Sequence, residues 1–215
     1  MKTMKILNID GDSIPNFEKI GIIVPLDKGE LFVIPTDTHW GLCVSPNFPK
    51  SIKRVFDIKH RPLNLPLPLF PANLEKAVEL LGKKPGILFR KLSEKFWPGA
   101  LTIIDKSERI FNSGLTSDGN KIGLRIPDHP LTQEIIDTCR EGYLAVTSVN
   151  RHGEPALNSI DEIRNEFDEE IHILINNNRK MKMQPSTVVD ISTGKIKCVR
   201  EGVIPLSEIM SVVSS

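Results

Sequence analysis

Cysteine is scarce: three in 215 residues, at Cys43, Cys139 and Cys198, far apart and with no CxxC pair. That excludes a disulfide-stapled scaffold and a zinc ribbon, and it fits a reducing compartment. No apolar run approaches the roughly 20 residues that cross a bilayer. The opening MKTMKILNIDGD has lysines but no apolar stretch after them, so no signal peptide is expected and the chain is read as cytoplasmic. Charge of one sign is lacking too. Lysine plus arginine total 28 against 27 acidic residues, a net charge of +1, which excludes a wholesale basic nucleic-acid binder but leaves room for a local basic groove. There is no internal repeat, no low-complexity tract and no linker. Also missing are GxxxxGK[ST], GxGxxG and a nucleophile elbow. The five histidines show no HxxxH or HxH spacing, so no dedicated protein metal site is expected.

What is present reads as a soluble globular chain, 40% apolar and 26% charged. Short β-branched runs predict strands at Leu31–Ile34, Leu67–Phe70, Leu101–Ile104, Ile122–Ile126, Leu144–Thr147, Ile171–Ile175, Thr187–Ile191 and Lys195–Val199. Helical segments lie between them. Pro49 opens one that runs to about Ile58 with Ile52, Val55 and Phe56 inward. Asn73 caps another, bearing Leu74, Ala77, Val78 and Leu81 and ended by Gly82. Asp128 caps a third with Leu131, Ile135 and Ile136, and Ser159 with Glu162 forms a capping-box pattern for a fourth, ending near Phe167. Phe17, Ile20 and Ile23 suggest a helix that Pro25 kinks or ends. The last two strands read as a hairpin through Ser192-Thr193-Gly194, so the sheet is expected to be mixed. The fold class is α/β: one domain over residues 1–215, with a core of about 15–205, a short C-terminal tail, and a twisted mixed sheet flanked by helices.

Polar groups gather at strand ends, where open α/β sheets bind ligands. Pro35-Thr36-Asp37-Thr38-His39-Trp40-Gly41-Leu42 packs hydroxyls, a carboxylate and an imidazole behind an apolar strand; a self-capping turn is the alternative. In Lys59-His60-Arg61-Pro62, Pro62 favours an extended Arg61, which would point Lys59 and Arg61 the same way, as suits a polyphosphate. A solvated helix end accounts for them equally. Arg125 lies in the apolar run Ile122–Ile126 and must either find a counter-charge or line a cleft. Thr147-Ser148-Val149-Asn150 offers hydroxyls and an amide just past a strand, or is an ordinary βα loop. The hairpin brings Ser186 near Arg200 from 14 positions away.

In order, these segments resemble the YrdC/Sua5 family. Residues 34–42 are similar to its PTDTxYGL motif, Lys59–Pro62 to KxRP, Phe96–Thr102 to WPGPLT, and Gly123–Pro130 to its R-x-P-x-HP segment. Ser148-Val149-Asn150 is similar to SAN, Pro185–Asp190 to PSTVVD, and Arg200–Gly202 to REG. The resemblance spans roughly residues 20 to 205 and corresponds to the single-domain YrdC type. It implies a concave, positively lined cavity (YrdC/RibB-like) and the synthesis of threonylcarbamoyl-AMP and pyrophosphate from L-threonine, bicarbonate and ATP with Mg2+. A downstream threonylcarbamoyl transferase would then modify tRNA, giving N6-threonylcarbamoyladenosine, and family members also bind double-stranded RNA. No membrane partner is implied.

Carried over residue by residue, Lys59 and Arg61 hold the phosphates, and Ser148, Asn150, Arg200 and Lys121 contact ATP. Thr38, Arg125 and Ser186 hold threonine, with Arg125 as a planar fork on its carboxylate, and Thr36 supports the first loop. The sequence departs from the pattern at Trp40, Leu65, Phe70, the run 149–153 and Ala156. These departures leave two further readings: an RNA-binding module without synthase activity, and a paralogue that uses another amine.

Overall fold

Short runs of valine, isoleucine and leucine pair edge to edge in a single ten-stranded sheet. The computed structural model describes residues 3–214. The strands are β1 (Lys5–Asn8), β2 (Phe32–Ile34), β3 (Gly41–Val44), β4 (Leu69–Pro71), β5 (Leu101–Lys106), β6 (Lys121–Leu124), β7 (Tyr143–Ser148), β8 (Ile173–Asn176), β9 (Thr187–Asp190) and β10 (Lys197–Arg200). They lie in the order β1-β8-β2-β3-β7-β4-β6-β5-β9-β10. β1/β8, β8/β2, β4/β6 and β5/β9 run parallel and the other pairs antiparallel, so the sheet is mixed, as the final hairpin implied. At Gly41 the β3–β7 approach is close: a Cβ there would sit 2.8 Å from Val146 Cγ1.

Among the described residues seven helices accompany the strands, six between them and one after the last: α1 (Asn16–Leu26), α2 (Pro49–Lys59), α3 (Leu74–Leu81), α4 (Ile87–Phe96), α5 (Pro130–Thr138), α6 (Ile160–Phe167) and α7 (Leu206–Ser214). Their ends follow local chemistry. Asn73 accepts from Lys76 N, and Gly82, left-handed at φ 65°, closes α3. Ser159 accepts from Glu162 N at the head of α6. α5 is capped by His129, one residue after the expected Asp128, because Pro130 fits the first helical position. Pro25 sits inside the last turn of α1, which ends one residue later.

Strand alternation sorts the side chains onto two faces. One face carries Val33, Leu42, Leu69, Ile103, Leu124, Ala145 and Val189, packed against α2, α3, α4, α6 and α7. The other carries Phe32, Ile34, Cys43, Phe70, Leu144 and Val146, covered by Ile22 and Leu26 of α1 and Leu131, Ile135 and Ile136 of α5. This second core takes no residue from β5, β6, β9 or β10. By register and alternation, the side of β5, β6 and β9 that it does not reach bears Thr102, Ile104, Lys121, Gly123, Val188 and Asp190.

Four elements depart from the sequence expectation. β1 and α4 fall where no element was assigned, and β3 begins inside what read as a turn motif. The expected C-terminal tail is α7, whose Ile209 is fully buried and which packs on α4.

Candidate active site

The first loop, between β2 and β3, is stitched by its own threonines. Thr36 Oγ1 donates to His39 O (2.6 Å), accepts from Thr38 N (3.1 Å) and lies 3.1 Å from Thr38 Oγ1. Both threonines are buried. Arg125, just past β6, closes on this loop: Nη2 donates to Asp37 Oδ1 (2.5 Å), Nη1 to Thr38 Oγ1 (3.0 Å) and Nε to Gly99 O (3.0 Å). Both members of the Arg125–Asp37 ion pair are buried, and the guanidinium lies 5.5 Å over the Phe70 ring. The fork predicted for a substrate carboxylate is therefore engaged by Asp37 and Thr38, with three of its five N–H groups in use. The connection from β8 to β9 runs alongside, with Lys182 N donating to Asp37 O and Met183 N to Thr38 O.

Lys59 departs from the predicted geometry. It is the last residue of α2, and His60 turns the chain with a left-handed φ of 51°, so Lys59 and Arg61 are not neighbours on an extended strand. The Lys59 side chain is buried at 1% exposure. Its ammonium donates to Ser148 O (2.6 Å), Asn150 O (2.6 Å) and Asn150 Oδ1 (2.9 Å). All three donors are thereby satisfied by neutral oxygens, and Lys59 forms the inside of the loop after β7. Ser148 Oγ donates to Asn150 Oδ1 (2.7 Å), and Asn150 Nδ2 to Glu154 O (2.6 Å). Burial, then the charges of Arg61 and Arg151, bring Lys59 down to about 7.

At the end of β10, Arg200 donates from Nε and Nη2 to Ser186 O (3.1 and 2.9 Å) and from Nη2 to Ser186 Oγ (3.1 Å). Ser186 Oγ lies 3.1 Å from Thr102 Oγ1, both groups being buried, and the hairpin does bring Ser186 and Arg200 together. Arg61 donates to Leu65 O (2.7 Å) and Pro66 O (3.2 Å), which leaves Nη1 unused. The charge of Arg200 reaches both of the other arginines. After burial, Arg200 is what disfavours the charge on Arg61, and it also acts against that of Arg125. Burial, then Arg200 and Arg125, hold His39 below the ordinary histidine value. Lys121 stands apart from these networks: its ammonium pairs with Asp190 at 2.9 Å, across β5.

Two supports escaped the sequence reading. Asp37 read as a turn residue, although a cation in an apolar strand demands a counter-charge and so signals such a partner. Arg151 pins the Ser148–Asn150 loop by donating to Ile58 O and to Glu166, its guanidinium 4.4 Å over Phe167. The site offers cations and hydroxyls, and its carboxylates, Asp37 and Asp190, are both in ion pairs. Among the described residues no group of three or more His, Cys, Asp or Glu side chains is placed to hold a metal ion.

Known proteins resemble this chain in sequence and in fold. The Sua5–YciO–YrdC family, whose description reads "Telomere recombination", matches residues 24–202. The threonylcarbamoyl-AMP synthase of Pyrococcus abyssi is 28% identical over 186 residues, covering 86% of this chain, which spans 54% of that protein's length. A Methanocaldococcus jannaschii relative is 30% identical over 182 residues, 85% of this chain and 84% of its own. The crystal structure of P. abyssi Sua5 complexed with L-threonine superimposes with a TM-score of 0.87 at 27% identity, over 97% of this chain and 60% of that one. Matched over most of its length, the chain belongs to the Sua5–YciO–YrdC family.

Proposed function

We propose that this protein is a threonylcarbamoyl-AMP synthase, which makes threonylcarbamoyl-AMP and pyrophosphate from L-threonine, bicarbonate and ATP for N6-threonylcarbamoyladenosine in tRNA. The observation that carries this reading is the closure of the buried Arg125 guanidinium on the buried Thr38 hydroxyl, with Arg200 bonded to Ser186 and its charge acting on both Arg61 and Arg125. The names of the relatives and the threonine complex of P. abyssi Sua5 support it.

In this reading the threonine amine adds to the carbon dioxide released from bicarbonate, giving a carbamate and a proton. A carbamate oxygen attacks the α-phosphorus and the bond to pyrophosphate breaks. No protein nucleophile takes part, so the chain contributes orientation and charge. Arg61 and Arg200 meet the phosphates with their remaining N–H groups. Ser148 and Asn150, held from within by Lys59, shape the nucleotide side. Thr38, Ser186 and the two unused N–H groups of Arg125 face the amino acid, and Thr36 braces their loop. Lys121 reaches ATP only by loosening from Asp190. Magnesium arrives on the triphosphate, and the product passes to a separate transferase.

The test is pyrophosphate release from purified protein. It should require both threonine and bicarbonate; release indifferent to either rejects the assignment. Arg61→Ala should lower turnover at least ~100-fold with an unchanged circular dichroism spectrum, since it removes a charge that acts on the transferring phosphoryl group. A second reading, a different amine substrate, rests on the departure from the family pattern at Phe70, which lies buried under Arg125. A panel of amino acids in the same assay separates it, because another amino acid would then outpace threonine.

A further inference from the structure

His39 hangs from the stretch of backbone that joins the two halves of the site. One residue before it, Thr38 Oγ1 accepts from Arg125 Nη1 (3.0 Å), on the side assigned to the amino acid. One residue after it, Trp40 O accepts from Val149 N (3.2 Å), within the Ser148–Asn150 loop assigned to the nucleotide. The His39 carbonyl itself accepts from Thr36 Oγ1 (2.6 Å). Residues 38, 39 and 40 are thus each held in place, and the imidazole is anchored between the two subsites.

The ring itself is uncommitted. Nδ1 is buried with no hydrogen-bond partner. The residue is only half-buried, whereas Thr36, Asp37, Thr38 and Trp40 around it are buried. With Nδ1 inside, the accessible edge is the one that carries Nε2. A histidine kept for packing ordinarily has a bond that fixes its tautomer. Nothing opposite Nδ1 does so here, and Nε2 is free to offer its lone pair. The other bases of the site are engaged. Asp37 and Asp190 are in ion pairs, and Lys59 gives its ammonium protons to Ser148 and Asn150. After burial, the charges that act on His39 are those of Arg200, at the end of β10, and Arg125, just past β6; they favour the neutral ring. The β8–β9 connection adds Lys182, whose backbone N–H donates to Asp37 O.

We propose that His39 is the general base of carbamate formation, taking on Nε2 the proton that the amino-acid nitrogen sheds. The proposal rests on the synthase reading above, which releases that proton without naming its acceptor. The neutral amine bonds through its lone pair to the carbon of carbon dioxide, and one C–O π pair moves onto oxygen. The N–H bond then breaks, its electron pair staying on nitrogen and its proton going to Nε2. Carbamate and imidazolium result, and the imidazolium, disfavoured by the two arginines, returns its proton to water. The PTDTxYGL pattern leaves position 39 open, so this base belongs to this chain and not to the motif.

The test is pyrophosphate release at saturating ATP, threonine and bicarbonate, followed from about pH 5.5 to about pH 8.5. Wild-type kcat should fall on acidification with an inflection below the ordinary histidine value of 6.5. His39→Gln should be slower by about 100-fold and lack that inflection, with its threonine affinity by calorimetry within about twofold of wild type. Imidazole added to His39→Gly should restore turnover, and substituted imidazoles should restore it in order of basicity, a response that a packing or binding role would not give. A His39→Gln turnover within about threefold of wild type overturns the base assignment and leaves the synthase reading standing. So does a loss traced to weaker threonine binding, or a His39→Gly chain that no imidazole rescues. A wild type that releases no pyrophosphate with threonine and bicarbonate overturns the synthase reading itself, and the base with it.

Discussion

Arg125 finds its counter-ion 88 residues away, in the turn after β2. Each member of this pair is buried, so each needs the other: removing one partner strands a charge in a low-dielectric setting. Asp37→Asn should destabilise the fold by about 3 kcal/mol, read by urea denaturation, and should loosen the Thr38 loop with it. A loss under about 1 kcal/mol would mean that water already screens the pair. Lys59 poses the opposite problem, a buried cation with only neutral acceptors. Its value falls from 10.5 to about 7, so the folded chain gives up this proton before the unfolded chain does. Between those two values the unfolded state binds more protons, and stability attributable to this group rises with pH; below about 7 both states are protonated and the burial penalty is felt in full. Wild-type stability should therefore gain on that of Lys59→Met as pH rises from about 7 to about 9, and parallel curves would contradict this.

At the scale of elements, the site depends on contacts that hold strand ends in place. Gly202 follows β10 where the chain crosses back over the approach to β9. A Cβ at that position would lie 2.1 Å from Pro185 O and 2.8 Å from Ser186 C. Those atoms are backbone and have little freedom to yield. Gly202→Ala should push Pro185 and Ser186 aside and break the Arg200–Ser186 bonds, raising the KM for threonine or ATP at least ~10-fold. The α7–α4 contact is a matter of stability rather than chemistry. Ile209 is fully buried there, and Ile209→Ala should cost about 2–4 kcal/mol in thermal or urea unfolding while leaving turnover at permissive temperature unchanged.

Across the whole molecule, local chemistry made much of the architecture legible. β-branched runs marked most strands, Asn73 and Ser159 marked helix starts, and the hairpin before Arg200 announced a mixed sheet. Other elements depended on distant partners. β1 is a four-residue edge strand, Lys5-Ile6-Leu7-Asn8, with no polar–apolar alternation, recognisable only when β8 lies beside it. β3 starts at a glycine because Val146, across the sheet, leaves no room for a Cβ there. α7 looks like a tail until α4 offers it a face. At the site, the residue types were readable but their partners were not. Periodicity around Lys59 did not reveal that a left-handed His60 ends α2 there, nor that carbonyls of the loop after β7 would enclose the ammonium. The Arg125–Asp37 pair was out of reach for the same reason: its members meet only when β2 and β6 share a sheet.

The strand order also sets a timetable for synthesis. The sheet face bearing Thr102 is bordered by β9 and β10, the last strands to leave the ribosome, and Ser186 and Arg200 come with them. A nascent chain that has completed β1 to β8 already has the apolar core between α1, α5 and the sheet, but not these two residues. Competence thus arrives after the bulk of the hydrophobic collapse, and a chain arrested before β9 would be compact yet inert.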